Sequence, residues 1–262
     1  MHRSNVFVRV LILPVAFAAM AVSAPAVRVA PFAAPPILMY HRIDAPDRRG
    51  GTRTLTVAPG ALAQQLQYLR KQRLAVLSMA QLEERLRQGK ALRNDVVLTF
   101  DDGYADQILY AVPLLRRFGD SATFYVVSGT VGTHAHVTWT SLRQVAAQGF
   151  DIAPHGLTHD DLSLMSRAHQ KKQIDGSVRS LHLRLHVRSA SYAYPAGRFT
   201  RQTMQLVRSA GVPLAVTTDR RYVLAPQTQW EMPRLRVNGT WSLSQFERAL
   251  QWALVHRVLV QR

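Results

Sequence analysis

Asp101 and Asp102 stand side by side in Thr99-Phe100-Asp101-Asp102-Gly103, directly after the apolar run Val96-Val97-Leu98. Adjacent carboxylates repel unless a cation or protons relieve them. At the end of a strand, successive side chains leave in different directions, so one of the pair can ligate a metal ion while the other faces a water molecule. An acidic helix cap is the alternative use of such a pair. Gly103 permits a tight turn out of the strand. A second cluster, His155-Gly156-Leu157-Thr158-His159, follows Phe150-Asp151-Ile152-Ala153-Pro154. Its two imidazoles, four residues apart, are expected on one face of a helical turn. Two histidines and a carboxylate form a common ligand set for zinc and related divalent ions, and Asp160 or Asp161 could orient an imidazole from behind. The third cluster is Tyr194-Pro195-Ala196-Gly197, closing the run Ser191-Tyr192-Ala193. It predicts a stiff exit whose backbone amides can face a ligand, with Tyr194 lining the pocket; taken alone, it is an ordinary turn.

Together the clusters supply what hydrolysis of an unreactive acyl group needs. A divalent ion polarises the carbonyl and acidifies water, a carboxylate takes the proton, and backbone amides share the charge on the oxyanion. For this the clusters must meet in space, and the surrounding sequence predicts how. Short apolar strands at 37–40, 74–77, 96–100, 122–127, 150–153, 191–194, 214–217 and 235–237 alternate with helices. Leu62, Leu66 and Leu69 set the period of a helix over 59–70, and Ser78 with Gln81 and Ser242 with Gln245 form capping boxes that open helices to about Gln88 and Leu259. Ala105–Phe118 predicts a helix kinked at Pro113. This α/β alternation, without a linker, predicts one closed or nearly closed parallel barrel, with an open doubly wound sheet as the alternative. In either, ligands bind at the carboxyl ends of the strands, where all three clusters fall.

The chain has 262 residues, 47% of them apolar and 19% charged, which suits a single large core. It has no cysteine, which excludes disulfides, thiolate metal sites and a lipid-modified cysteine anchor. Residues 1–26 predict a secretory signal peptide: Arg3 and Arg9, the apolar stretch Val10–Val22, then small residues ending at Ala26. The apolar stretch is short for a membrane span, and an uncleaved anchor is the alternative. Residues 27–35 form an Ala- and Pro-rich lead-in, and 36–262 a single catalytic domain. The formal charge of +17 favours anionic partners, such as an acidic envelope surface or an anionic polymer. Neither zinc-finger spacing nor an aromatic RNA-reading pattern accompanies it, so no nucleic acid is expected. The expected species is an exported, periplasmic or secreted monomer.

The three clusters, in this order, resemble the signature of the polysaccharide deacetylase family, the NodB-homology domain of carbohydrate esterase family four. The resemblance extends over about 36–237. Pro36-Ile37-Leu38-Met39-Tyr40-His41 and Met232-Pro233-Arg234-Leu235-Arg236-Val237 are similar to flanking segments of the branch acting on envelope and biofilm glycans. It implies a distorted (β/α)7 barrel and removal of N-acetyl groups from N-acetylhexosamine residues of a polysaccharide such as poly-N-acetylglucosamine, peptidoglycan or a chitin-like polymer. Asp102, His155 and His159 would hold one divalent ion, zinc first, with cobalt, nickel or iron as alternatives. Asp101 would be the general base, and the amide at Tyr194 would help hold the oxyanion. Tyr194, Pro195 and Gly197 would contact substrate. Apart from the resemblance, Trp139, Trp230 and Trp241 lie at element edges where a ring can stack on a sugar, with packing in the core as the alternative for each. An esterase on an acylated glycan, or a catalytically weak glycan-binding protein, are the alternatives.

Two departures from the family pattern bear on activity. An Arg that commonly braces the base before the Pro-x-Gly turn is missing from Ser191–Tyr194, with Arg198 or Arg220 as candidate substitutes. A late general-acid His is missing after Val237, which leaves the general acid open; His41, at the end of the first strand, is a candidate active-site residue that could reach the same mouth. His134 and His136 are assigned to a loop, His256 to the surface, and Asp219 to a possible strand end near the site.

Overall fold

The computed structural model of the protein describes residues 31–45, 53–218 and 227–261. In chain order the strands and helices are β1 (Phe32–Ala33), β2 (Ile37–Tyr40), β3 (Arg42–Ile43), β4 (Thr56–Val57), α1 (Pro59–Lys71), β5 (Ala75–Leu77), α2 (Met79–Arg87), β6 (Asp95–Phe100), a π-helical turn (Gln107–Ala111) running into α3 (Val112–Phe118), β7 (Thr123–Val126), α4 (Trp139–Ala147), β8 (Asp151–Pro154), α5 (Arg167–Leu185), β9 (Ser191–Ala193), α6 (Arg201–Ser209), β10 (Leu214–Val216), β11 (Gln227–Thr228), β12 (Leu235–Arg236), α7 (Leu243–Val255) and β13 (Leu259–Gln261).

Parallel strands β12, β2, β6, β7 and β8 pair in that spatial order, and β9 pairs with β10. Side chains and single bridges span the two seams between these groups. At one, Tyr125 and Ser191 share a hydroxyl hydrogen bond of 2.7 Å, and His155 Nδ1 lies 2.8 Å from the Ala193 carbonyl. At the other, the Met232 amide donates to Ala215 and its carbonyl accepts from Thr217, each at 3.0 Å. The result is a distorted (β/α)7 barrel, with its hydrogen-bonding ladder broken at two places.

Period-two alternation sorts the strand side chains into two layers. Leu38, Tyr40, Leu98, Phe100 and Phe124 face the helices, where they meet Leu62, Leu66, Leu115 and Phe246. Ile37, Val97, Tyr125, Ala153, Ala193 and Val216 fill the barrel. Burial on both faces explains why these strands read as unbroken apolar runs. The rings of Tyr40, Phe100 and Phe124 stack in sequence at 5.1 and 5.0 Å, tying β2, β6 and β7 together.

Both expected capping boxes are present. Two expectations change. The helix over Ala105–Phe118 is not one α-helix: Pro113 has no N–H for the carbonyl four residues back, and a π turn precedes it. The last helix stops at Val255 instead of Leu259. There Arg257 turns to the carbonyls of Leu92 and Arg93, and the following residues alternate exposed, buried, exposed as β13, which pairs antiparallel with β1 of the lead-in. The signal-peptide segment lies outside the described residues. Among the described residues no helix is long and apolar enough to cross a membrane.

Candidate active site

Asp101 and Asp102 leave the carboxyl end of β6 beside the end of β8, which delivers His155. Asp102 Oδ1 lies 3.5 Å from His155 Nε2 and 3.4 Å from His159 Nε2, and one ligand atom from each residue falls within 4.8 Å of the other two. Two nitrogen or oxygen ligands about 2.1 Å from one tetrahedral ion sit about 3.4 Å apart, so the cluster has the span of a metal centre. Asp102 Oδ1 is also buried without a hydrogen-bond partner, a costly state for a carboxylate oxygen that a cation would relieve. The donor set fits zinc and its neighbours.

The histidines converge differently from the helical turn expected. Residues 155–161 form a loop in which Gly156 and His159 adopt left-handed backbone at φ 80° and 62°. Neither Asp160 nor Asp161 orients an imidazole through a hydrogen bond: Asp160 accepts from Thr158 at 2.5 Å, while Asp161 caps Ser163 and pairs with Arg198 at 2.8 Å. The Ala193 carbonyl instead accepts from His155 Nδ1 at 2.8 Å, which leaves Nε2 free to face Asp102. Burial opposes charge on both carboxylates, yet their surroundings hold both below the usual range: chiefly Arg234 for Asp101, and His155 for Asp102. Burial, and then the neighbouring His155, lower the pKa of His159; a neutral imidazole is the form that binds metal.

The missing brace is Arg234. Fully buried at the approach to β12, it donates from Nη1 to Asp101 Oδ1 at 2.7 Å and from Nη2 to Oδ2 at 2.6 Å. Arg198 is occupied by Asp161, and Arg220, with Asp219, lies outside the described residues. The signal available in the sequence was the pair Arg234 and Arg236 within the otherwise apolar segment Met232–Val237.

His41 follows β2, close enough to Asp101 and Asp102 for their charges to act on it; burial, the larger effect, lowers its pKa. Its Nδ1 is buried without a partner. Tyr194 corrects two expectations. Its ring is buried, stacked on Phe199 at 4.6 Å, with its hydroxyl donating to the Trp230 carbonyl at 2.8 Å, so it does not line the pocket. Its amide donates to the Val216 carbonyl at 3.1 Å and is not a free oxyanion donor. Pro195 has no N–H, and the Gly197 and Arg198 amides bond back to Tyr194 and Pro195; the turn's remaining amide belongs to Ala196, at φ 52°. A Cβ on Gly156 would lie 3.3 Å from the Pro195 ring, which places this turn against the histidine loop. Trp139 packs on the main core with the Arg184 guanidinium 5.2 Å from its ring centre, a packing role in place of substrate contact. His136 stacks on Tyr104, two residues after Asp102, at 5.2 Å, whereas His134 is exposed and His256 stacks on Trp252 at 4.6 Å at the end of α7.

Comparison with known proteins agrees with this geometry. The polysaccharide deacetylase family profile matches residues 88–215. A putative polysaccharide deacetylase of Bacillus subtilis, YxkH, is 27% identical over 212 residues, covering 80% of this chain and 74% of that protein. The poly-β-1,6-N-acetyl-D-glucosamine N-deacetylase of Escherichia coli K12 is 31% identical over 135 residues, which cover 45% of this chain but only 20% of that longer protein. Among solved structures, the Streptococcus pyogenes deacetylase PplD in complex with acetate superposes with a TM-score of 0.73 at 25% identity, over 85% of this chain and 99% of that one. These likenesses are to the polysaccharide deacetylase family, metal-dependent hydrolases acting on carbon–nitrogen bonds.

Proposed function

We propose that the protein is exported and removes acetyl groups from N-acetylhexosamine residues of a polysaccharide, with poly-N-acetylglucosamine the first polymer to test because the Escherichia coli relative is named for it. The single observation carrying this reading is the meeting of Asp102, His155 and His159 within one ligand sphere beside Asp101. A divalent ion held there would supply Lewis acidity, acidifying water and polarising the acetamide carbonyl.

The chain's own residues do the rest. Asp101, kept ionised by Arg234, takes a proton from the attacking water. The Ala196 amide donates to the developing oxyanion. Burial keeps resting His41 neutral, so it supplies no proton of its own; it relays the one collected by Asp101 to the departing amine nitrogen. Acetate leaves and a free amine stays on the sugar.

The test is acetate release from defined N-acetylglucosamine oligomers, comparing metal-stripped with metal-restored protein and including an O-acetylated glycan in parallel. Release from the amide only after metal is restored, lost in Asp101→Asn with metal binding retained, is the expected result. Release from the ester alone would make the protein an esterase, and binding without release would make it a glycan-binding protein.

A further inference from the structure

Register pairing between β2 and β6 ends at Tyr40 and Phe100, and the Asp101 amide makes the last link, to the Tyr40 carbonyl at 2.9 Å. The next residues on the two strands are His41 and Asp101, the proton-handling pair of the reading above. Gln107, at the start of the π turn, is fully buried, and its Nε2 donates both to the His41 carbonyl at 2.6 Å and to the Asp101 carbonyl at 2.5 Å. One side-chain amide thus closes the gap at which the strand ladder stops.

The orientation of that amide is fixed by chemistry. Flipped, its oxygen would face two carbonyl oxygens at the same distances, which is repulsive. Gln107 Oε1 is left buried with no partner, an unfavourable state that an apolar side chain of similar size would avoid. Filling space is therefore a poor account of a glutamine here. The preceding residue completes the clamp: Asp106 accepts from the Ile43 amide at 3.1 Å and from Arg42 Nε at 2.8 Å, holding the chain just beyond His41. The wider i→i+5 turn, closed by the Val112 amide on the Gln107 carbonyl, begins at this glutamine.

We propose that Gln107 is a positioning residue for the reaction, fixing the separation of His41 from Asp101 by bridging their carbonyls. The proposal rests on the roles assigned above to those two residues. The amide touches none of the three metal-binding side chains, its only link to them being the peptide between Asp101 and Asp102, so its removal should spare most of the metal affinity.

The experiment compares wild type with Gln107→Met, which keeps the volume and loses the donors, and Gln107→Asn, which is too short to reach both carbonyls. The readouts are steady-state acetate release, zinc affinity by chelator competition, and thermal melting. In Gln107→Met, kcat should fall about 10- to 100-fold, the scale of a misplaced catalytic group, with KM within about twofold and zinc affinity within about threefold. Combining it with His41→Ala should cost little beyond His41→Ala alone, because the clamp then has nothing left to position. A well-folded Gln107→Met with full kcat overturns the proposal, as does a parallel loss of zinc affinity or full additivity with His41→Ala. If Gln107→Met does not fold, the same criteria apply to Gln107→Asn. Full activity in both His41→Ala and Asp101→Asn would instead overturn the assigned roles, a result distinct from any effect at position 107.

Discussion

Arg234 and Asp101 form a two-point ion pair, 133 residues apart in sequence, with neither side chain open to solvent. The guanidinium is further held by the Thr217 carbonyl and the Thr99 hydroxyl, each at 3.1 Å, and lies over the Tyr125 ring. A planar fork matches a carboxylate at both oxygens in a way an ammonium cannot. Removing one partner of such a pair leaves a buried charge uncompensated, at about 3–5 kcal/mol. Arg234→Met should therefore lose about that much in urea unfolding and most of its acetate release, with Arg234→Lys between it and wild type. The double variant Arg234→Met/Asp101→Asn should be more stable than Arg234→Met alone. A single variant as stable as wild type would show that the pair is not what orders this part of the barrel.

Much of the barrel was readable because its signals are local. Ser78 with Gln81 opens α2, and the apolar runs before Asp101 and His155 are strands buried on both faces. The metal cluster was readable because its residue types have few other reasons to occur together at strand ends. Arg234 was hidden because its partner is set by the closure of the barrel, and no spacing along the chain encodes that. The Tyr194 amide misled for a related reason: Val216 of β10, which takes its hydrogen bond, is a neighbour in space and lies 22 residues on in sequence. His41 was legible by position alone, since a residue ending a barrel strand must reach the mouth.

The convergence of the Asp102 oxygen with the His155 and His159 imidazoles predicts that divalent ions stabilise the fold. Binding to the native state alone adds about 4 kcal/mol when free ion is near a thousand times Kd. Zinc added to chelator-treated protein should raise the melting temperature, and Asp102→Asn or His159→Ala should abolish most of the rise. An equal rise in these variants would place the ion elsewhere.

Asp151 predicts a pH dependence of stability at the other end of β8. Its carboxylate accepts from Thr123 Oγ1 at 2.8 Å and from the Ala80 amide at 3.2 Å, yet burial raises its pKa to about 6. Unfolded, it would titrate near about 3.9. Because the folded value is the higher one, the folded state binds more protons between these limits, and this group's contribution is complete below pH about 4 and lost as pH rises through about 6. Asp151→Asn keeps an acceptor oxygen and does not ionise. Since the side chain is partly accessible, the variant should gain only about 1–2 kcal/mol over wild type at pH 7, falling to none near pH 4. Urea denaturation at several pH values gives the comparison, and parallel curves for the two proteins would contradict it.

Gly197 closes the Pro-x-Gly turn with left-handed backbone at φ 71°, and a Cβ there would lie 2.1 Å from Thr218 Oγ1 and 2.4 Å from the Thr218 amide nitrogen. Its carbonyl accepts from Thr217 Oγ1 at 2.7 Å, so the turn cannot move away without breaking that bond. Gly149, at φ 89°, has open space around the same hypothetical atom. The two glycines share the backbone penalty, about 1–2 kcal/mol for a side chain in this region, and differ only in the collision. Gly149→Ala should cost about that much and leave acetate release intact. Gly197→Ala should cost about 2–4 kcal/mol and lower kcat by displacing the Ala196 amide, while zinc affinity holds because the three ligands come from β6 and the histidine loop. Equal costs for the two variants would mean that Thr218 yields to the added methyl, and unchanged kcat in a destabilised Gly197→Ala would remove the turn from the reaction.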